Sequence, residues 1–147
     1  MERLGEHDFY MSMAFLCALR STCSMRQVGA VFLDRHKHVI ATGYNGVPRG
    51  FKHCIETPCE GLGDINTCQA VHAEQNALLQ CQDVMGIEIV YITTFPCLSC
   101  IKLLLNTSCQ KIVYCFQSKH SAPAFEIWTG WQIAIPVPSI INFQLRS

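Results

Sequence analysis

Two short segments hold the residue types that do metal and proton chemistry: His72-Ala73-Glu74, and further along the chain Pro96-Cys97-Leu98-Ser99-Cys100. Zinc takes imidazole nitrogen and thiolate sulfur readily. A catalytic zinc site leaves the fourth tetrahedral position to water, whose pKa the metal lowers. His72, Cys97 and Cys100 are therefore candidate ligands. Glu74, two residues from His72, need not bind the metal and can take a proton and pass it on. Taken singly, each half is weak, because a Cys-x-x-Cys pair also serves redox sites and structural zinc knuckles, and a lone histidine is usually a core residue. Joined, with Pro96 in front and a helix start at each segment, they point to zinc-assisted hydrolysis.

The surrounding elements must bring the two segments together. Good helix formers fill residues 70–81, and Pro96 suits the first position of a helix reaching about residue 106. Cys97 and Cys100, three apart, then share a helix face, and a helix N-terminus favours the thiolate form. Strand patterns occupy 28–33, 39–42, 87–93, 111–115 and 131–137. Residues 8–20 read as an amphipathic helix packed through Phe9, Met13, Leu16 and Cys17, and residues 125–128 as a short helix. Strands alternating with helices imply an α/β sandwich, and the absence of repeats or linkers implies a single domain over 1–147.

Composition narrows the function classes. Eleven Lys and Arg balance eleven Asp and Glu without a basic run, which disfavours a polynucleotide partner. No window offers the ~18 to 20 apolar residues of a membrane span, and the N-terminus lacks signal-peptide features, so a soluble cytoplasmic protein is expected. Ten cysteines in such a compartment read as reduced thiols and metal ligands rather than disulfides. Residues 51–68 form a long aperiodic loop with three of them, Cys54, Cys59 and Cys68, which makes a second metal clip plausible; scattered reduced thiols are the alternative. Cys17, Cys81, Cys109 and Cys115 fit small buried hydrophobes.

Together, Ser21-Thr22-Cys23-Ser24-Met25-Arg26-Gln27-Val28-Gly29-Ala30, Gly43-Tyr44-Asn45-Gly46-Val47-Pro48-Arg49-Gly50, His72-Ala73-Glu74-Gln75-Asn76-Ala77 and Pro96-Cys97-Leu98-Ser99-Cys100 resemble the zinc-dependent deoxycytidylate deaminase family, over about residues 8 to 130. The resemblance implies the cytidine-deaminase-like fold, a three-layer α/β/α sandwich around a mixed sheet of about five strands. It also implies hydrolysis of dCMP to dUMP and ammonia for thymidylate synthesis, with Glu74 protonating first the ring nitrogen and then the leaving amine. A homo-hexamer activated by dCTP and inhibited by dTTP, each with Mg2+, belongs to the same implication.

Site residues follow from it. Arg26 offers a guanidinium for the 5′-phosphate, and Asn45 an amide able to donate and accept, with a surface charge and a turn residue as the respective alternatives. Ala73 joins them in the substrate pocket. Tyr114 lines the base near its carbon-5 edge, or is an ordinary strand aromatic. Gly43, Tyr44, Gly46, Arg49 and Gly50 border the triphosphate regulatory site, where Arg49 or Lys52 could meet phosphates. Cys23 lies where some relatives place a structural zinc ligand, so that Cys23, Cys54, Cys59 and Cys68 would close a tetrahedral second site. A tRNA adenosine deaminase shares the zinc motifs but calls for basic charge, a nucleoside deaminase has no use for Arg26, and an idle zinc scaffold has none for Glu74.

Overall fold

A computed structural model describes residues 2–54, 56 and 68–139. Five strands, β1 (Gly29–Leu33), β2 (Val39–Tyr44), β3 (Ile89–Thr94), β4 (Lys111–Phe116) and β5 (Ile133–Pro136), form one sheet in the order β2-β1-β3-β4-β5. β1 runs antiparallel to both neighbours, whereas β3, β4 and β5 are parallel. Parallel neighbours need crossovers. Helices α3 (Leu98–Leu105) and α4 (Ala122–Thr129) supply them; α1 (Glu6–Ala18) precedes the sheet and α2 (Ala73–Gln80) follows β2.

Alternation along the strands divides the core in two. Ala30, Phe32, Val90, Ile92, Ile112 and Tyr114 pack with Ala77, Ile101, Leu104 and Trp128 of α2, α3 and α4. Val31, Leu33, Tyr91 and Val113 face the other way, onto Met11, Ala14 and Phe15 of α1. The expected α/β/α sandwich with a five-stranded mixed sheet is the observed one. Every residue of β1 is buried because helices cover both of its faces. No helix among the described residues is long and apolar enough to cross a membrane.

Two glycines set how closely helix and sheet approach. A Cβ on Gly29 would strike the Ala14 carbonyl oxygen and the Ala18 nitrogen of α1. A Cβ on Gly43 would strike the Ala73 carbonyl oxygen and lie 2.7 Å from the Ala77 nitrogen of α2. Both helices rest backbone-on-backbone against neighbouring strands, a contact only glycine permits. This close seating also corrects the reading of α1. Its inward face is Met11, Ala14, Phe15 and Ala18; of the expected stripe, Met13 and Cys17 pack partly buried against that core, while Phe9 and Leu16 are exposed. Small Ala14 and Ala18 let the backbone descend onto Gly29; a stripe led by Phe9 and Leu16 would hold it away.

Element ends shift for local reasons. The helix expected over 70–81 begins at Ala73, because Val71 pairs with Gly46 in an antiparallel bridge and His72 is an extended N-cap. The helix expected from Pro96 starts at Leu98, with Cys97 as its N-cap. The first residues of the strand expected over 87–93 follow a 3-10 turn at Val84–Gly86, and the strand itself is Ile89–Thr94. The short helix expected at 125–128 covers Ala122–Thr129, helped by Pro123 in its first turn.

Candidate active site

His72 and Cys97 hold equivalent positions, each capping the first turn of a helix that leaves a loop beside the sheet. Gln75 accepts from the His72 backbone N–H at 2.8 Å, one half of a capping box that steadies the start of α2. The bridge before it is closed by Val71 N–H to the Gly46 carbonyl at 2.7 Å and the reverse bond at 3.1 Å. The loop after β2 thus pins His72, and the Phe95 N–H, donating to the Phe116 carbonyl at 2.8 Å, holds the approach to Cys97. The sequence brings neither pinning contact into view.

Nδ1 of His72 lies 3.3 Å from Cys100 Sγ and 3.5 Å from Cys97 Sγ, and the three ligand atoms all fall within 4.8 Å of one another. Zn–N and Zn–S bonds of about 2.1 and 2.3 Å at tetrahedral angles separate nitrogen from sulfur by roughly 3.5 Å. The group fits one zinc ion. It is the one such cluster of three or more metal-ligating groups among the described residues. Cys97 is the more acidic thiol: the hydrogen bond from Cys100 pulls its pKa down, and His72 and Ser99 add to the pull. Cys100 is pushed up, first by giving that bond and then by burial. His72 is raised chiefly by its bond to Cys97, while the charge of Arg26 opposes its protonation.

Glu74 is buried in the first turn of α2, beside Cys100. Burial pushes its carboxyl up to about 6, against the pull of its own backbone N–H and of His72. A carboxylate so poised changes protonation state at little cost near neutral pH, which suits a proton carrier. Ala73, just before it, is buried, and as the first helical residue its N–H has no acceptor within the helix.

Arg26 is exposed at the end of the segment leading into β1. Asn45 is buried at the end of β2, and its amide is largely committed. Oδ1 accepts from the Val28 N–H at 2.9 Å and the Ser21 hydroxyl at 2.6 Å, and Nδ2 donates to the Arg26 carbonyl at 2.9 Å. The amide expected both to donate and to accept toward a ligand therefore has only a donor left. Tyr114 is buried in an aromatic group with Phe95 at 5.1 Å and Phe125 at 6.3 Å, and Phe95 leads directly into Pro96 and Cys97. The contacts of Ser21, Phe95 and Phe125 are not assigned from the sequence, although Ser21 lies in the Ser21–Ala30 segment, because serine and phenylalanine at these positions carry no spacing signal.

Of the segment from Gly43 to Gly50, Tyr44, Pro48, Arg49 and Gly50 are exposed, whereas Gly43 and Gly46 are buried for packing: Gly43 under α2, and Gly46 against Thr22. Cys23 and Cys54 are buried and Cys68 is exposed; Cys59 lies outside the described residues.

A histidine and two cysteines at adjoining helix starts, with a buried carboxylate beside them, define the site of a zinc-dependent hydrolase on an α/β/α sandwich. The family model described as the cytidine and deoxycytidylate deaminase zinc-binding region matches residues 4–116. The chain belongs to this family of zinc-binding deaminases. It is 36% identical over 132 residues to ComE operon protein 2 of Bacillus subtilis, covering 87% of this chain and 68% of that protein. It is 35% identical over 126 residues to the deoxycytidylate deaminase of Mycobacterium phage D29, covering 78% and 97%. Against the Schizosaccharomyces pombe deoxycytidylate deaminase it is 40% identical over 116 residues, 73% of this chain but 36% of that longer protein. The crystal structure of cyanophage S-TIM5 dCMP deaminase in complex with dCMP and dUMP superposes with a TM-score of 0.75 at 25% identity, covering 92% of this chain and 100% of that one.

Proposed function

We propose that this chain, acting as a single deaminase domain, hydrolyses dCMP to dUMP with release of ammonia, supplying dUMP for thymidylate synthesis in the cytoplasm. The carrying observation is Glu74, buried against the His72–Cys97–Cys100 cluster in a chain whose relatives include deoxycytidylate deaminases. Zinc held by those three residues supplies an acidified water for attack at neutral pH. The carbon–oxygen bond forms at the ring carbon bearing the amino group, and the carbon–nitrogen bond breaks. Glu74 takes the first proton of the attacking water and delivers it to the ring nitrogen, then takes the proton of the hydroxyl now on the attacked carbon and delivers it to the departing amine, so that the carbonyl forms as ammonia leaves. The Ala73 N–H is a donor beside that path, and Tyr114, packed edge-to-face with Phe95, borders the base near carbon 5. Arg26 meets the 5′-phosphate. Asn45 offers its remaining N–H to an acceptor oxygen on the sugar.

Regulation by dCTP and dTTP with Mg2+, in a homo-hexamer, is read onto the Gly43–Gly50 segment, whose exposed members are Tyr44, Pro48, Arg49 and Gly50. Gly43 and Gly46 serve it by carrying β2 onto α2 and Thr22. A second, structural zinc held by Cys23, Cys54, Cys59 and Cys68 is supported by the burial of Cys23 and Cys54 in loop positions. The test of the central reading is ammonia release from dCMP by the purified zinc protein and by Glu74→Gln. Glu74→Gln keeps its zinc and loses about 100-fold or more in kcat. A variant as active as wild type overturns the assignment of the proton carrier.

A further inference from the structure

The Ser21 hydroxyl lies under the end of β2, buried, within 2.6 Å of Asn45 Oδ1. It is also 3.0 Å from the Asn45 carbonyl and 3.4 Å from the Arg26 carbonyl, and it accepts from the Cys23 N–H at 3.3 Å. A hydroxyl has one hydrogen, and the shortest of these distances gives it to Oδ1. That side-chain oxygen also accepts the Val28 N–H, so both its lone-pair positions are filled. Because Val28 N–H can only donate and the Arg26 carbonyl can only accept, the backbone dictates which end of the amide is which. One Nδ2 hydrogen goes to Arg26, and the other is uncommitted among the described residues.

We propose that Ser21 is a positioning residue for substrate binding: it fills the second acceptor position of the Asn45 oxygen and, with the two backbone bonds, steadies the amide plane, so that Asn45 presents a single N–H donor to an acceptor oxygen of the substrate. The inference rests on the reading of Asn45 as a substrate contact. Neighbouring packing supports the same unit, since Thr22 lies against Gly46, whose backbone bonds Val71 just before His72. Loss of the Ser21 hydroxyl leaves Oδ1 with one donor and loosens the amide, which is then held by its bonds to Val28 and Arg26 alone. A preorganised donor is worth more to binding than a mobile one. The contact is made to the sugar, away from the reacting carbon, so the effect falls on KM rather than kcat.

The experiment measures kcat, KM for dCMP and zinc content in wild type, Ser21→Ala, Ser21→Thr, Asn45→Ala and the Ser21→Ala/Asn45→Ala double variant. Ser21→Ala raises KM about tenfold with kcat within about twofold and zinc unchanged. Ser21→Thr, which keeps the hydroxyl, restores KM toward wild type. In the Asn45→Ala background, Ser21→Ala adds no further rise, because its effect passes through the missing amide. Multiplicative effects of the two substitutions, or a Ser21→Ala variant with unchanged KM, overturn the proposal. Should Asn45→Ala not fold, the KM-against-kcat split in Ser21→Ala and its repair by threonine decide alone. Wild-type protein without dCMP turnover overturns the substrate reading itself, a different outcome from wild-type turnover indifferent to Ser21.

Discussion

Gly43→Ala tests whether the seating of α2 on β2 sets the catalytic geometry. The added methyl falls 2.7 Å from the Ala77 nitrogen, and closer to the Ala73 carbonyl oxygen. Neither obstacle is a flexible side-chain end; both are helix backbone. Relieving the Ala77 contact to 3.0 Å moves the helix 0.3 Å, and the Ala73 carbonyl demands more, so the first turn retreats by about 1 Å. That turn carries His72 and Glu74, while Cys97 and Cys100 stand on α3 and stay. Overpacking of this kind costs about 1–3 kcal/mol, which lowers Tm by roughly 3–10 °C in a domain of this size. A 1 Å misplacement of reacting groups costs about 100-fold in rate. Zinc retention, thermal unfolding and dCMP turnover are measured on the same preparation. Gly130→Ala is the control: it caps α4 at ordinary φ with nearest atoms at 3.3 and 3.5 Å, and changes stability by less than about 1 kcal/mol. A Gly43→Ala protein with wild-type Tm, zinc and turnover would refute the claim that this backbone contact positions the site.

Three further outcomes are expected. Arg26→Ala raises KM for dCMP by about tenfold or more while leaving turnover of deoxycytidine nearly unchanged, since only the nucleotide presents a phosphate; equal losses on both substrates reject the clamp. Elemental analysis finds about two zinc per chain, and Cys54→Ser removes one while ammonia release persists; a single zinc that disappears with Cys97→Ala alone eliminates the second site. Glu74 works ionised at the attack step, and its carboxyl is raised by burial to about 6. The folded enzyme therefore gains activity as pH rises through that value. A bound cation lowers the carboxyl, so the acid limb of kcat/KM falls at or below about pH 6. An acid limb centred above pH 7 in the zinc enzyme excludes Glu74 as the titrating group.

The chemistry of the site was legible in the sequence because it depends on residue type at short spacing. His72, Cys97 and Cys100 announce a candidate ligand set and Glu74 a candidate proton carrier, and alternating strand and helix patterns announce the sandwich. What the sequence left open depends on contacts between residues distant along the chain. Periodicity identified α1 and turned Met13 and Cys17 toward the core, where they pack partly buried, but it also turned Phe9 and Leu16 inward, since they are as apolar as Met11 and Phe15. The choice between them belongs to Gly29, which admits only the Ala14–Ala18 face at backbone distance. The start of α2 was misjudged for the same kind of reason. Val71 stands in a run of helix formers but is itself β-branched, and Gly46 claims its backbone for a bridge.

Asn45 shows the difference most sharply. Its type announced a versatile amide, and only the approach of Ser21, Val28 and Arg26 decided that its oxygen is consumed and a donor remains. Local sequence determines which groups are present and what each can do; the tertiary structure determines which of those capacities are still available, because hydrogen bonds and close packing are made across the fold.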